Sequence, residues 1–331
     1  MRKLTYLTAV SMMVFLLGCE AEQVSTQNGN ALREPVNIRE LEPTAIRVVE
    51  TSLSDENPRI RSHAIETVVK CNRREMMPMI IDRLEDESFP VRFAAAMGLG
   101  DANYSAAKES IRPLLKDQNP HVRLSAAYAL SRMGEPNHEK LLVKTLKSPD
   151  KSLKANAVLL LGKTEKREYI NDLYAVAQEP ETSEQVIMQA LEAIAMIGDK
   201  DVYRQLWPLL ISKYADDRQI GIRAMGALGT SDAEDAIITM LEDEVTEVRL
   251  CAAEQLGRMG NRVGRPEVLD YLKDRQTDAY TISKRRADFT AALAIGRIGG
   301  SELTRFLPGL LESDWQHIRL NAAGSVLLLV R

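Results

Sequence analysis

Acid and base recur six residues apart in this chain: Asp55 and Arg61, Asp86 and Arg92, Asp117 and Arg123, Asp243 and Arg249. A single such pair would be a candidate acid–base site. Four copies are a poor catalytic candidate, because a catalytic site normally occurs once. A carboxylate at a turn can instead accept from the orphan N–H groups that open a helix. Arginine can offer its multi-donor fork to that acid and to nearby carbonyls. Other reactive side chains are sparse. His63, His121, His138 and His317 are scattered; His121 and His138 could approach each other, but no cysteine or further ligand accompanies them, so no metal site is expected. Cys71 and Cys251 read as two buried small hydrophobes. The acidic LEDE runs at 84–87 and 241–244 lack the 12-residue alternating loop of a calcium site. No phosphate-binding glycine loop, nucleophile elbow or HExxH stands in the sequence, so neither an enzyme nor a cofactor is expected.

The elements that carry these residues form a repeat. With Arg123 of PHVRLSAAYAL as origin, equivalent segments stand at Arg61, Arg92, Lys154, Ile187, Gly221, Arg249, Asp288 and Arg319, at intervals of 31, 31, 31, 33, 34, 28, 39 and 31. Three residues after each origin stands alanine: Ala64, Ala95, Ala126, Ala157, Ala190, Ala224, Ala252, Ala291 and Ala322. The positions one before and seven after are almost always aliphatic, and this spacing by four draws one row along a helix. A methyl at the middle of the row suits close approach of a second helix. Shorter apolar-periodic segments such as REMMPMIIDRL and RQLWPLLIS lie between, so each repeat is expected to be an antiparallel pair, helix A then helix B. Asn57-Pro58 and Asn119-Pro120 read as a cap followed by proline at the first helical position. Gly100, Gly134, Gly162, Gly198, Gly229, Gly260 and Gly299 are expected to close B helices in a left-handed conformation. Nine pairs over residues 38–331 make an all-α solenoid, a long curved ramp on the order of 80 Å at ordinary helix spacings.

The pattern Asp…Pro-x-Val-Arg-x-x-Ala-Ala-x-Ala-Leu resembles the HEAT repeat, in the short variety named after phycobilisome lyases. The resemblance implies an armadillo-like superhelix in which the turn aspartate and the B-helix arginine form a ladder linking successive repeats. That ladder carries over to the four pairs named above. It lapses at Ile187, Gly221 and Asp288, and lower protection is expected there: amides around 178–230 should exchange faster than those around 86–134. The resemblance also implies that B helices line a concave face, so the residues two after each origin border the groove. These are His63, Ala94, Ser125, Asn156, Gln189, Arg223, Cys251, Thr290 and Asn321, a mixed and mostly polar row. The polar members His63, Asn156, Gln189, Arg223, Thr290 and Asn321 are candidate partner-binding residues. A second candidate is the longest interval, DRQTDAYTISKRRAD at 274–288, with Tyr280 and the basic run Lys284, Arg285 and Arg286. An insertion in a solenoid commonly forms a loop on one face.

The first 18 residues combine Arg2 and Lys3 with an apolar run that is short for a bilayer span, which reads as a secretory signal peptide. Leu16-Leu17-Gly18-Cys19 resembles the lipobox of bacterial lipoproteins. It implies cleavage before Cys19, lipid such as palmitate on that residue, and a polar tether over 19–37. The body would then be a membrane-anchored scaffold at the bacterial cell envelope, binding an unknown protein partner. A formal net charge of −4 leaves no basic excess for nucleic acid. The resemblance to phycobilin lyases keeps an enzyme or enzyme subunit as an alternative, and a nucleic-acid-binding HEAT protein as a weaker one.

Overall fold

The structure is a computed structural model that describes residues 36–275 and 282–330. Cys19, the leader with most of the tether, and Tyr280 lie outside the described residues. Within them the chain forms helices and no strands: α1 (Ile38–Leu53), α2 (Pro58–Lys70), α3 (Met77–Asp82), α4 (Phe89–Asp101), α5 (Lys108–Ile111), α6 (Pro120–Arg132), α7 (Glu139–Thr145), α8 (Lys151–Lys163), α9 (Ile170–Gln178), α10 (Glu184–Ile197) and α11 (Tyr203–Leu210). There follow α12 (Ala215–Leu228), α13 (Ser231–Thr239), α14 (Thr246–Arg258), α15 (Arg265–Asp274), α16 (Ile282–Ile298), α17 (Ser301–Thr304), α18 (Leu307–Leu311) and α19 (Gln316–Leu329). The even-numbered helices to α16, together with α19, are the B helices. Apart from α1, the A helices are shorter, and most are extended by 3₁₀ turns.

All nine alanines of the repeat column are fully buried. The caps form as expected: the Asn57 and Asn119 side chains accept from the backbone N–H of Arg59 and His121.

The expected open ramp does not form. Each B helix packs on the next, and the last, α19, packs on both α1 and α2, so the solenoid closes into a ring. At the seam the last B helix lies along helix A of repeat one as well as its helix B, while the side-chain offsets across B helices match those inside the ring. Within the ring, Asn156 of repeat four reaches back to His121 of repeat three at 2.8 Å. At the seam, His63 of repeat one stands at the same offset and reaches His317 of repeat nine at 3.0 Å.

Glycines placed eight after the origin explain the curvature. A Cβ at Gly100 would fall 2.8 Å from the Ala129 backbone, one at Gly162 2.6 Å from Ala193, and one at Gly296 2.7 Å from Ser325. Neighbouring B helices therefore touch backbone to backbone on one side of the ring, and small steps accumulate into a full turn. Two of these glycines were expected at helix ends, but Gly100 and Gly162 lie inside α4 and α8. The left-handed residues there are Asn103 and Glu165, whereas Gly134, Gly198, Gly229, Gly260 and Gly299 do take positive φ. Gly162→Val is expected to lower stability by about 2 kcal/mol through overpacking against Ala193. A melting temperature equal to wild type would count against this account of the curvature.

Candidate interaction surface

The recurring pairs do form a ladder, with a geometry that spacing by six does not show. Each arginine donates to the carbonyl six residues back: Arg61 to Asp55 at 2.8 Å, Arg92 to Asp86 and Arg123 to Asp117 at 2.7 Å, and Arg249 to Asp243 at 2.8 Å. The carboxylate goes elsewhere. Asp86 takes both arms of Arg61 at 2.7 and 2.8 Å, and Asp117 takes Arg92 at 2.9 and 3.0 Å, so a rung joins a cation to the acid 25 residues on. The same carboxylates accept the N–H two residues ahead, at Ser88 and Asn119, and so open their B helices. Burial pushes the Asp117 carboxyl up, but the Arg92 guanidinium and the Asn119 N–H overcome it and hold it below the usual range.

Arg218 carries the rung that was expected to lapse in repeat six. It donates to the Ser212 carbonyl six back at 2.8 Å and to both oxygens of Asp243, 25 residues on, at 2.6 and 2.8 Å. The origin of repeat six is therefore Arg218 rather than Gly221, and Gly221 occupies the small-residue position, with its Cα close to Leu209 of α11. The signal was present in the intervals, since this origin replaces 34 and 28 by 31 and 31. Lys154 reaches Glu179 in the same way at 2.8 Å. In repeat eight the polarity reverses: fully buried Asp288 stands at the origin and pairs with Arg275 at 2.8 Å. At the seam, Asp55 accepts from the Gln316 amide. Ile187 of repeat five has neither a cation nor, at Ser212, an acid to meet. Faster exchange is therefore expected for amides 184–190 than for 215–221; equal protection would sink the link between rungs and local stability.

The polar row two after each origin does not border an open groove. Asn156 and Asn321 are buried, and Ala94, Ser125 and Cys251 of the same row are buried with them. Tight curvature presses this flank onto the preceding B helix. Asn321 donates to the Phe289 carbonyl at 2.9 Å, and Cys251 lies against the Gln219 carbonyl. His63, Gln189, Arg223 and Thr290 are half-buried; Gln189 donates to Glu192 at 3.2 Å and Thr290 to the Arg286 carbonyl at 3.1 Å. The face turned away from the A helices is filled as well: Phe93, Leu124, Tyr128, Leu250 and Leu320 are all buried. Side chains even cross to second neighbours, as Lys163 does to Asp101 at 2.8 Å. Lys284, Arg285 and Arg286 belong to the first turns of α16, not to a loop. Arg285 stacks on Trp315 at 4.0 Å and Arg286 lies 3.5 Å from Asp216.

The histidines meet in an unexpected combination. His121 and His138 stay apart, paired with Asn156 and with Glu135, while His63 and His317 stack at the seam with ring centroids 5.2 Å apart. Asn321 spends its amide N–H on Phe289, so its oxygen accepts from His63 Nε2 at 2.8 Å. Neutral His63 then presents a bare Nδ1, which accepts from His317 Nδ1. Burial, followed by the His317 and Lys70 charges, pushes His63 down to about 3. Burial and Arg59 take His317 to about 4. A second buried network surrounds Glu139, which accepts from Lys166 at 2.7 and 2.8 Å and from the Ser131 and Tyr169 hydroxyls. These three partners satisfy the carboxylate, as a structural brace across repeats three, four and five. Cys71 and Cys251 are both buried, as expected. Among the described residues no group of three or more His, Cys, Asp or Glu is placed to hold a metal ion.

With the interior filled, the apolar side chains left in water stand out. Phe89, Trp207, Ile211, Tyr214, Val263 and Trp315 are the large exposed hydrophobics. Ile211 and Tyr214 are the most exposed, at 70% and 59%. A profile of HEAT repeats matches residues 77–144, 139–221 and 213–288. The chain belongs to the HEAT-repeat family. No curated protein matches this HEAT chain. Among solved structures, it is similar to the complex of CpcE and CpcF of phycocyanin lyase from Nostoc sp. PCC7120, at 18% identity and a TM-score of 0.43, over 81% of this chain and 97% of that one. It is also similar to human deoxyhypusine hydroxylase, at 16% identity and a TM-score of 0.38, over 80% and 99% of the two chains. Importin beta matches at 15% identity and a TM-score of 0.34, over 83% and 44%. At these identities the likeness is one of fold.

Proposed function

We propose that this HEAT protein is a non-enzymatic protein-interaction scaffold, held at the bacterial cell envelope by lipid on Cys19. The observation that carries the reading is the Ile211–Tyr214 region, where the two most exposed large apolar side chains among the described residues stand together with Trp207. Apolar patches of this kind mark association sites, and Trp and Tyr supply much of the energy in such contacts. Ring closure moves the binding surface from the inside of the solenoid to its rims and outer helices. The repeats act as a rigid frame that fixes the spacing of the outer contacts, and the lipid fixes their place. The anchor rests on the lipobox-like Leu16–Cys19 and the polar stretch after it. No helix among the described residues is long and apolar enough to cross a membrane. Labelling cells with an alkyne palmitate is expected to mark the protein and to fail with Cys19→Ser; label that persists in the variant would remove the anchor. Photocrosslinking in cells from positions on the outer surface is expected to trap protein partners. A surface that yields no protein adduct at any position would remove the scaffold.

A further inference from the structure

We infer that the outer face of α11 and the turn after it form a docking site for a protein segment that combines apolar side chains with lysine or arginine. The inference rests on the scaffold reading above and names the chemistry of the partner. Tyr203, Trp207 and Ile211 follow one another at intervals of four, so they form a stripe along one side of the helix. Tyr203 and Trp207 are in ring contact with centroids 6.2 Å apart. Trp207 is 40% exposed and Ile211 70%.

Comparison between repeats shows that the fold does not require these residues. Seven before the origin, where repeat six has Ile211, the other repeats carry Ser54, Glu85, Lys116, Lys147 and Glu312 among others. Four before the origin is the B-helix cap, held by Asn57, Ser88, Asn119, Asp150 and Ser183 in the first five repeats; repeat six places Tyr214 there, repeat seven Val245 and repeat nine Trp315. No side-chain cap bond forms at Tyr214, which stands 59% exposed beneath Lys213. Giving up a cap costs about 1 kcal/mol. Repeat six alone carries a large apolar side chain at both positions, and both Ile211 and Tyr214 stand in water.

Charge specifies the occupant. Helices in adjacent repeats lie roughly 8–10 Å apart, so residues at similar offsets flank the stripe. Those are Glu181 on one side and Glu242 and Glu244 on the other, all exposed. The Glu244 side chain is 86% exposed and lies 4.0 Å from Arg218, and Lys213 and Arg204 are exposed cations nearby, outnumbered by the three glutamates.

The test uses the full chain with Cys19→Ser and two fluorescein-labelled amphipathic peptides, one of leucine and lysine and one of leucine and glutamate, followed by anisotropy. The lysine peptide is expected to bind at least tenfold more tightly than the glutamate peptide. Ile211→Ser with Tyr214→Asn, which copies residues from equivalent positions of other repeats, is expected to lose at least tenfold in affinity while its melting temperature holds or rises. A merely structural role would lower the melting temperature. Glu181→Gln, Glu242→Gln and Glu244→Gln together are expected to weaken binding, while Asp232→Asn with Asp235→Asn on the opposite rim leaves it unchanged. Equal binding of both peptides, or equal loss from the opposite-rim control, would overturn the site. So would self-association, or flotation with phosphatidylglycerol vesicles, that depends on Ile211 and Tyr214. Crosslinking in cells separates the two readings: protein adducts from position 116 but not from 207 sink this site and keep the scaffold, while none from either position sinks both.

Discussion

Acidification from about pH 7 to pH 4.5 is expected to weaken the ring at its seam by roughly 3 kcal/mol through His63 alone. The sign follows from the direction of the shift. In the folded ring His63 is pushed down to about 3 and His317 to about 4, whereas both return to the ordinary histidine value when the seam opens. The opened chain therefore binds more protons below about pH 6.5, and stability falls as pH falls toward the folded values. The geometry supplies the reason. Protonating His63 puts a hydrogen on the Nδ1 that must accept from His317, 3.0 Å away, with Lys70 and Arg59 contributing further positive charge and Asp55 opposing it. Burial also lowers His121, which adds in the same direction. The Asp117 carboxyl of the ladder is held below the usual range by Arg92 and the Asn119 N–H, so it does not contribute between about pH 6.5 and 4.5. Melting temperature measured against pH should slope down across that interval in wild type. The slope should flatten in His63→Gln with His317→Gln. A parallel slope in that variant would show that other groups carry the effect.

Arg218→Ala is expected to cost about 3 kcal/mol, the scale for removing one member of a buried ion pair. The side chains of Arg218 and Asp243 are 8% and 7% exposed, so the aspartate left behind is charged and largely cut off from water. Removing both, as Arg218→Met with Asp243→Asn, should recover much of the loss, since the cost lies in the stranded charge more than in the lost attraction. Arg123→Ala is the matched control. Its bonds run to the carbonyls of Asp117 and Gln118, so a loss of about 1 kcal/mol is expected. Chemical denaturation of the variants measures the difference; equal losses at 218 and 123 would show that the inter-repeat carboxylate adds nothing.

The helical pairs, the buried alanine column and the ladder aspartates were legible because they repeat, and repetition averages out local accidents. Arg218 was missed because alanine spacing alone drew the register to Gly221, three residues late. Closure was illegible for a different reason. It depends on distances between B helices at Gly100, Gly162 and Gly296, where the useful property is the absence of a side chain. A small error in each step decides whether nine repeats spiral or meet. The polar row containing Asn156 and Asn321 was placed beside a groove because polar residues suit water. In the ring they suit the backbone carbonyls and imidazoles of the preceding helix equally well. Repeat six was the informative exception, since no other repeat carries a large apolar side chain at the position of Ile211.

Closure also changes what kinds of sequence change the molecule can absorb. An open stack can gain or lose a unit at either end, but here the angular sum leaves no room for a tenth unit and no cover for the flank of an eighth. Cutting is different. Because α19 already lies against α1 and α2, a cut at another B-to-A turn can be offset by joining the chain across the seam. A chain restarted at such a turn, with a short linker across the seam, should rebuild the same ring, whereas deletion of one whole unit should not.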